Sequence, residues 1–434
     1  MANPINIFWF RRDLRLDDNH ALFQALQSEN PVLPIFIFDK TILESLPKND
    51  ARVNFIYDTL QDLNNTLQNT YSSHIVIYHD TPINAFKHIV KNYNVKTVYT
   101  NHDYEPYAKK RDTNIASFLK DNNIDFKTYK DQVVFEKNDV TKSDGKPYLV
   151  YTPYMKSWKQ KFKSISLETF QSKSLLNNTV KSTPSSQLSL KDLGFEKSSQ
   201  KIAPYQVTSK LIQDYEDKRN FPAIDATSKL GPHLRFGTVS VRQIVKKAIT
   251  EKNEVFWQEL IWREFFMQIL WHFPETVTQS FKPKYDRIEW RNNEKEFKLW
   301  CEGKTGYPLV DAGMRQLNKT GFMHNRVRML VGSFLCKHLL IDWRWGEAYF
   351  AEKLHDYEMA SNIGNWQWVA GCGVDAAPYF RIFNPTTQIK KFDSDLKYIK
   401  KWVPEHQELT YSSPMVDHKE ARERCLKVYK AALD

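Results

Sequence analysis

The chain has 434 residues, too many for one ordinary domain and enough for two or three. Its 62 Lys and Arg against 51 Asp and Glu leave a net charge of +11, which favours an anionic partner, although many soluble proteins carry such a surplus without one. The four cysteines form no Cys-x-x-Cys pair and no apolar run approaches membrane-spanning length, which sets aside a disulfide framework, a thiolate metal site and a membrane anchor.

Nothing at Met1–Pro4 reads as a leader, so a soluble, cytoplasmic protein is expected; a monomer is expected as well. Short apolar, β-branched or aromatic runs recur early, at Ile5–Phe10, Val32–Phe38, His74–Tyr78 and Thr97–Thr100. Helical patterns separate them at Asn19–Gln27, Val53–Leu67 and Ala108–Lys120. This alternation predicts a doubly wound α/β domain with a parallel sheet over residues 1–130. No Gly-x-Gly-x-x-Gly follows the first strand, so the usual dinucleotide fingerprint is missing. Residues 131–204 read as a linker: Ser164–Ser199 holds ten serines, the turn pair Pro184-Ser185 and few large apolar residues, as a surface connector would. From 205 to 434 the pattern is helical throughout, and ten of the twelve tryptophans lie beyond residue 250. The fold class is therefore α/β, with a parallel-sheet domain joined by a long linker to an all-helical one.

Four stretches of the second half concentrate chemistry. Thr227, Ser228, Lys229, Leu230 and Gly231 put hydroxyls, a cation and a glycine at a helix start, which suits a pyrophosphate cradle or a plain helix cap. Glu259, Trp262 and Arg263 stand at i, i+3 and i+4 on one helical face, fit for a flat polar ligand or for an ordinary surface Glu–Arg pair. Asn325 and Met329 share a face in the same way, with Arg326 and Arg328 about 200° apart around the helix. One arginine can serve a phosphate and the other an internal carboxylate; the alternative is a basic helix with Met329 in the core. In the run Asp356–Trp368, Asn362 and Trp366 can address one ligand, Trp368 points to a different wall, and Gly364 permits close backbone approach; core packing is the other use for both tryptophans. His324 lacks a second metal ligand at suitable spacing and reads as structural, and no serine-hydrolase arrangement is present.

These stretches, with Phe8–Asn19, Gly306–Arg315 and Asp375–Pro385, resemble the photolyase/cryptochrome family over nearly the whole chain. Within it, Met323-His324-Asn325-Arg326 followed by Arg328-Met329, together with Trp366-Gln367-Trp368, is most similar to class I cyclobutane pyrimidine dimer photolyases. The resemblance implies FAD bound by the helical domain. Its contacts would be Tyr215, Thr227–Gly231, Phe256, Glu259, Arg263, Arg328, Asp356, Tyr357, Glu358 and Asn362. Phe256 and Glu358 stand where the family often carries Trp and Asp. Asn362 would face flavin N5, where an amide favours the reduced forms, and Arg328 would pair with Asp356 over the ring system.

The resemblance also implies damaged DNA as partner. Arg219, Glu259, Trp262, Asn325, Arg326, Met329 and Trp368 match the family's lesion pocket and its backbone contacts. The implied reaction is light-driven electron transfer from reduced FAD to a flipped-out dimer, with Glu259, Asn325 and Asn362 nearest the chemistry. Trp366, Trp343 and Trp290 match the chain that reduces resting flavin. At Tyr107-Ala108 the folate-antenna relatives usually carry Asn-Glu, so a second chromophore, if present, is left without identity. Two rival functions are a (6-4) photoproduct enzyme, which would carry histidines near Asn325 and Met329, and a cryptochrome-like light receptor, which often adds a C-terminal tail.

Overall fold

The computed structural model describes residues 3–181 and 188–434; the turn pair Pro184-Ser185 lies outside the described residues. The chain packs as two units that interleave in sequence, unlike the three consecutive stretches read from sequence. One comprises Met1–Glu136, Gln160–Tyr205 and Lys229–Thr250, the other Lys137–Lys159, Gln206–Ser228 and Glu251–Asp434.

The first unit is built on a five-stranded parallel sheet of order β3-β2-β1-β4-β5. Its strands are β1 (Ile5–Phe10), β2 (Val32–Asp39), β3 (Val76–Asp80), β4 (Val95–Asn101) and β5 (Asp125–Tyr129). β1 and β2 are buried at every position, as expected of central parallel strands covered on both faces. β5 carries the sequence DFKTY with mostly exposed side chains; it is an edge strand, and it offers no apolar run to read. Helices His20–Leu26, Ala51–Tyr71, Pro82–Asn92 and Pro106–Asp121 alternate with the strands. The α/β architecture is the one the alternating pattern predicts.

Part of the expected surface connector is core instead. Ser172–Asn178 forms a 3-10 turn in which Leu176 is fully buried and the Ser172 hydroxyl donates to the Leu16 carbonyl at 2.7 Å. Thr179 bridges to Val32 beside β2, and Leu193 and Phe195 join the same apolar cluster. A few well-placed apolar residues suffice to bury a segment whose average composition is polar.

The second unit is helical. Its core gathers Trp300, Trp343, Trp366 and Phe334, with the half-buried Trp290 packed against it. At the π-turn Phe334–His338, Lys337 is turned fully inward. Its ammonium donates to the carbonyls of Ala370 (3.0 Å) and Tyr379 (3.1 Å) and lies 4.0 Å from the centre of the Tyr429 ring. Burial pushes the Lys337 pKa down to about 8. The four cysteines are free thiols. Among the described residues no helix is long and apolar enough to cross a membrane.

Candidate active site

Three helices of the second unit carry the site. Helix Val255–His272 is apolar almost all round and runs through the interior, so its few polar side chains stand out. Helix Asn325–Ser333 begins at His324, whose ring Nδ1 accepts from the Arg326 N–H at 3.2 Å, as an N-cap does. His324 is thus structural, as its isolation in sequence implies. Helix Met359–Ala370 lies close against the first: a Cβ on Gly364 would sit 2.2 Å from Cδ1 of Phe266. The close approach that Gly364 permits is therefore to the Phe266 ring of the neighbouring helix.

These helices enclose two adjoining clefts. The narrower, of about 590 Å³, is lined by Arg328, Asp356, Tyr357, Glu358, Asn362 and Trp366, among others. The wider, of about 890 Å³, is lined by Arg219, Glu259, Trp262, Arg263 and Phe266. Asn325, Met329, Ser361, Asn365 and Trp368 belong to both and form a shared wall.

The polar groups of the narrower cleft are tied in place. Arg328 donates to Asp356 Oδ2 at 2.9 Å and to the Met323 carbonyl at 2.7 Å, so the expected ion pair is formed. Asp356 Oδ1 is buried without a hydrogen-bond donor. Arg263 lies 3.7 Å from Glu358. The Asn362 amide donates to the Glu347 carboxylate at 3.0 Å and to the Glu347 carbonyl at 3.2 Å, which leaves its oxygen as the end available to the cleft. Burial raises the pKa of Glu347, against the opposing hydrogen bonds from Asn362 and Tyr357.

In the wider cleft Glu259 pairs with Arg219, forty residues earlier, and the surface pair with Arg263 that the spacing allows is not made. Burial opposes the charge on Arg219, but the Glu259 carboxylate more than offsets it and the arginine pKa is raised. Arg326 donates to Asn220 at 2.5 Å, and its guanidinium lies 4.5 Å from the Phe392 ring centre. Burial and the nearby Arg219 lower its pKa.

Several residues expected at the flavin stand outside the narrower cleft. Tyr215 and Phe256 pack edge-to-face on each other, 5.2 Å apart, and burial with the Glu259 charge carries the Tyr215 hydroxyl up to about 12. The boundary between the two units falls inside the Thr227–Gly231 segment, with Thr227 and Ser228 in the second and Lys229 to Gly231 in the first. Glu259 and Arg263, expected to touch flavin, line the wider cleft. Trp366 and Trp343 are buried in one core cluster with Trp290 against it, and Trp366 also meets Trp300 edge-on at 6.2 Å.

The sequence reading missed Ser361, Asn365 and Glu347. Ser361, Asn365 and Trp368 stand at i, i+4 and i+7, a face that the spacing argument would have yielded. Glu347 has no such local signal.

Residues 6–174 match DNA photolyase and residues 256–411 match the FAD binding domain of DNA photolyase. The chain belongs to the DNA photolyase family. It is 36% identical to a deoxyribodipyrimidine photo-lyase of Agrobacterium fabrum, covering 98% of this chain and 97% of that one. The crystal structure of a class III photolyase from Agrobacterium tumefaciens is similar with a TM-score of 0.88 and 34% identity, over 100% of this chain and 98% of the other. An archaeal photolyase from Sulfolobus tokodaii, described with two FAD molecules and a novel light-harvesting cofactor, is similar with a TM-score of 0.81 and 32% identity, over 98% and 99%.

The residues of the narrower cleft fit the flavin that a photolyase carries. Asp356 Oδ1 is a buried acceptor without a donor, the Asn362 oxygen is a second acceptor, and Arg328 supplies positive charge. A flat ring system bearing N–H donors and partial negative charge would satisfy all three.

Proposed function

We propose that the chain splits cyclobutane pyrimidine dimers in DNA, driven by light absorbed by a bound reduced FAD. The observation that carries this is the shared wall of the two clefts, which would set a dimer in the wider one directly against a flavin in the narrower. When bound, FAD supplies an electron that is lent to the dimer and returned.

The protein positions both. Trp262 and Trp368 wall the lesion, while Glu259, oriented by Arg219, and Asn325 hold the pyrimidine edges. Arg219 and Arg326 hold backbone phosphates and set register. Asn362, whose amide nitrogen is held by Glu347, would present its oxygen to a flavin N–H donor. Trp366, Trp343 and Trp290, packed in or against one core cluster, would serve as the relay through which a resting flavin is reduced. Asn325 and Met329 occupy positions where (6-4) repair calls for histidine, which supports cyclobutane dimers as the lesion. The related structures include a class III enzyme, so the proposal covers dimer repair and not membership of class I.

The test is illumination of the reduced, FAD-loaded protein with an oligonucleotide carrying one defined thymine dimer. Thymine absorbance should recover in the light and not in the dark. No recovery with fully reduced flavin and saturating DNA overturns the reading.

A further inference from the structure

One face of Trp262 is already occupied before any ligand arrives. Tyr151 lies flat against the indole, with ring centroids 3.6 Å apart and planes 10° from parallel. Tyr151 is buried and belongs to neither cleft lining, whereas Trp262 lines the wider cleft. The tyrosine is therefore behind the indole, and the cleft receives what the tyrosine leaves uncovered.

Tyr151 is itself held at three points. Its hydroxyl donates to the Gln258 carbonyl at 2.7 Å, one helical turn before Trp262. Its backbone N–H donates to Asp375 Oδ2 at 3.0 Å, at the start of helix Tyr151–Lys163. Its ring meets Phe265 edge-on at 5.9 Å. On the Trp262 side, Phe265 adds an edge contact at 5.6 Å and Phe266 a near-parallel one at 5.5 Å. The indole is thus packed among three other rings, Tyr151, Phe265 and Phe266.

We propose that Tyr151 is a positioning residue for lesion recognition: it backs Trp262 so that a flipped-out dimer meets one fixed aromatic face. The inference rests on the wider cleft being the lesion pocket. Without the backing ring, the indole gains rotamers and the cleft must order it on binding, a cost that falls on the base-stacking contact alone. The Tyr151 hydroxyl is bonded to the Gln258 carbonyl, while Arg219 is held by Glu259 and Arg326 by Asn220, so removing the ring should disturb undamaged DNA less than the dimer. The ring does this work and the hydroxyl only anchors it.

The experiment uses the FAD-loaded full chain as wild type, Tyr151→Ala, Tyr151→Leu and Tyr151→Phe. Each is titrated with an oligonucleotide carrying one thymine dimer and with the undamaged oligonucleotide, and repair per absorbed photon is read at saturating dimer. Tyr151→Ala and Tyr151→Leu should bind the dimer about three- to ten-fold more weakly, the size of one lost aromatic pair, with affinity for undamaged DNA changed less than about two-fold. Tyr151→Phe should restore wild-type dimer affinity, and the loss in the other two should lie in affinity far more than in yield per photon. Should Tyr151→Ala lose FAD, Tyr151→Leu, which keeps more of the volume without the flat face, decides the matter. The proposal is overturned if the ring-less variants hold the dimer as wild type does, if damaged and undamaged DNA weaken together, or if Tyr151→Phe fails to restore binding. A wild type that does not discriminate the dimer at all refutes the lesion-pocket reading, and this inference with it.

Discussion

Asp356 offers the sharpest test of the flavin cleft. Its Oδ2 receives the Arg328 guanidinium at 2.9 Å, while Oδ1 is buried with no donor. A buried acceptor left unsatisfied costs on the order of 1–3 kcal/mol, and a ligand donor that reaches it recovers that amount on binding. Asp356→Asn keeps the shape, removes the charge and replaces one acceptor oxygen with a donor. The pair is partly exposed, at 23% and 19% for the two side chains, so the free protein should lose no more than about 1 kcal/mol. FAD binding should suffer more. Losing a charge-assisted hydrogen bond worth roughly 1.5–3 kcal/mol weakens FAD by about 10- to 150-fold. The assay is titration of flavin-stripped protein with FAD, read by quenching of flavin fluorescence and by the rise in Tm at saturation. If folded Asp356→Asn binds FAD within two-fold of wild type, Asp356 does not hold the cofactor and the cleft has been read wrongly.

Three further outcomes follow from the same structure. Trp366→Phe should photoreduce bound oxidised FAD at less than about a tenth of the wild-type rate, an expected barrier increase above 1.4 kcal/mol, yet repair normally once the flavin is reduced chemically; an unchanged photoreduction rate removes Trp366 from the relay. Arg326→Ala should weaken damaged and undamaged DNA alike and lower the salt dependence by about one charge, whereas Glu259→Ala should chiefly lower repair per photon at saturating dimer; the opposite pattern reverses the two roles. His338 is buried against His418 at 2.8 Å, and burial first, then the charges of His418 and Arg424, push its pKa down to about 3. The folded state therefore binds fewer protons than the unfolded one between about pH 6.5 and 3, so stability falls as pH drops through that window, by up to about 1.4 kcal/mol per pH unit for this one group. His338→Phe should show a shallower acid decline in denaturant midpoint, and parallel curves would exclude His338 as a source.

What the sequence determined by itself was local. β1 and β2 are read directly because a strand buried on both faces must be apolar without interruption. Helical spacing alone brings Asn362 and Trp366 to one cleft and places Asn325 and Met329 on the wall between two. β5 stayed hidden because an edge strand has no buried face to mark it. The pairs that give the site its chemistry were decided by tertiary structure: Arg219 with Glu259, Asn362 with Glu347, and Tyr151 behind Trp262. Spacing on one helix offered Arg263 to Glu259, and the fold instead supplied an arginine forty residues away. The difference is physical. Periodicity records which face of an element is buried, since every residue on that face contributes, but a polar pairing depends on which of many compatible side chains the packed chain finally brings within 3 Å, and no single segment contains that choice.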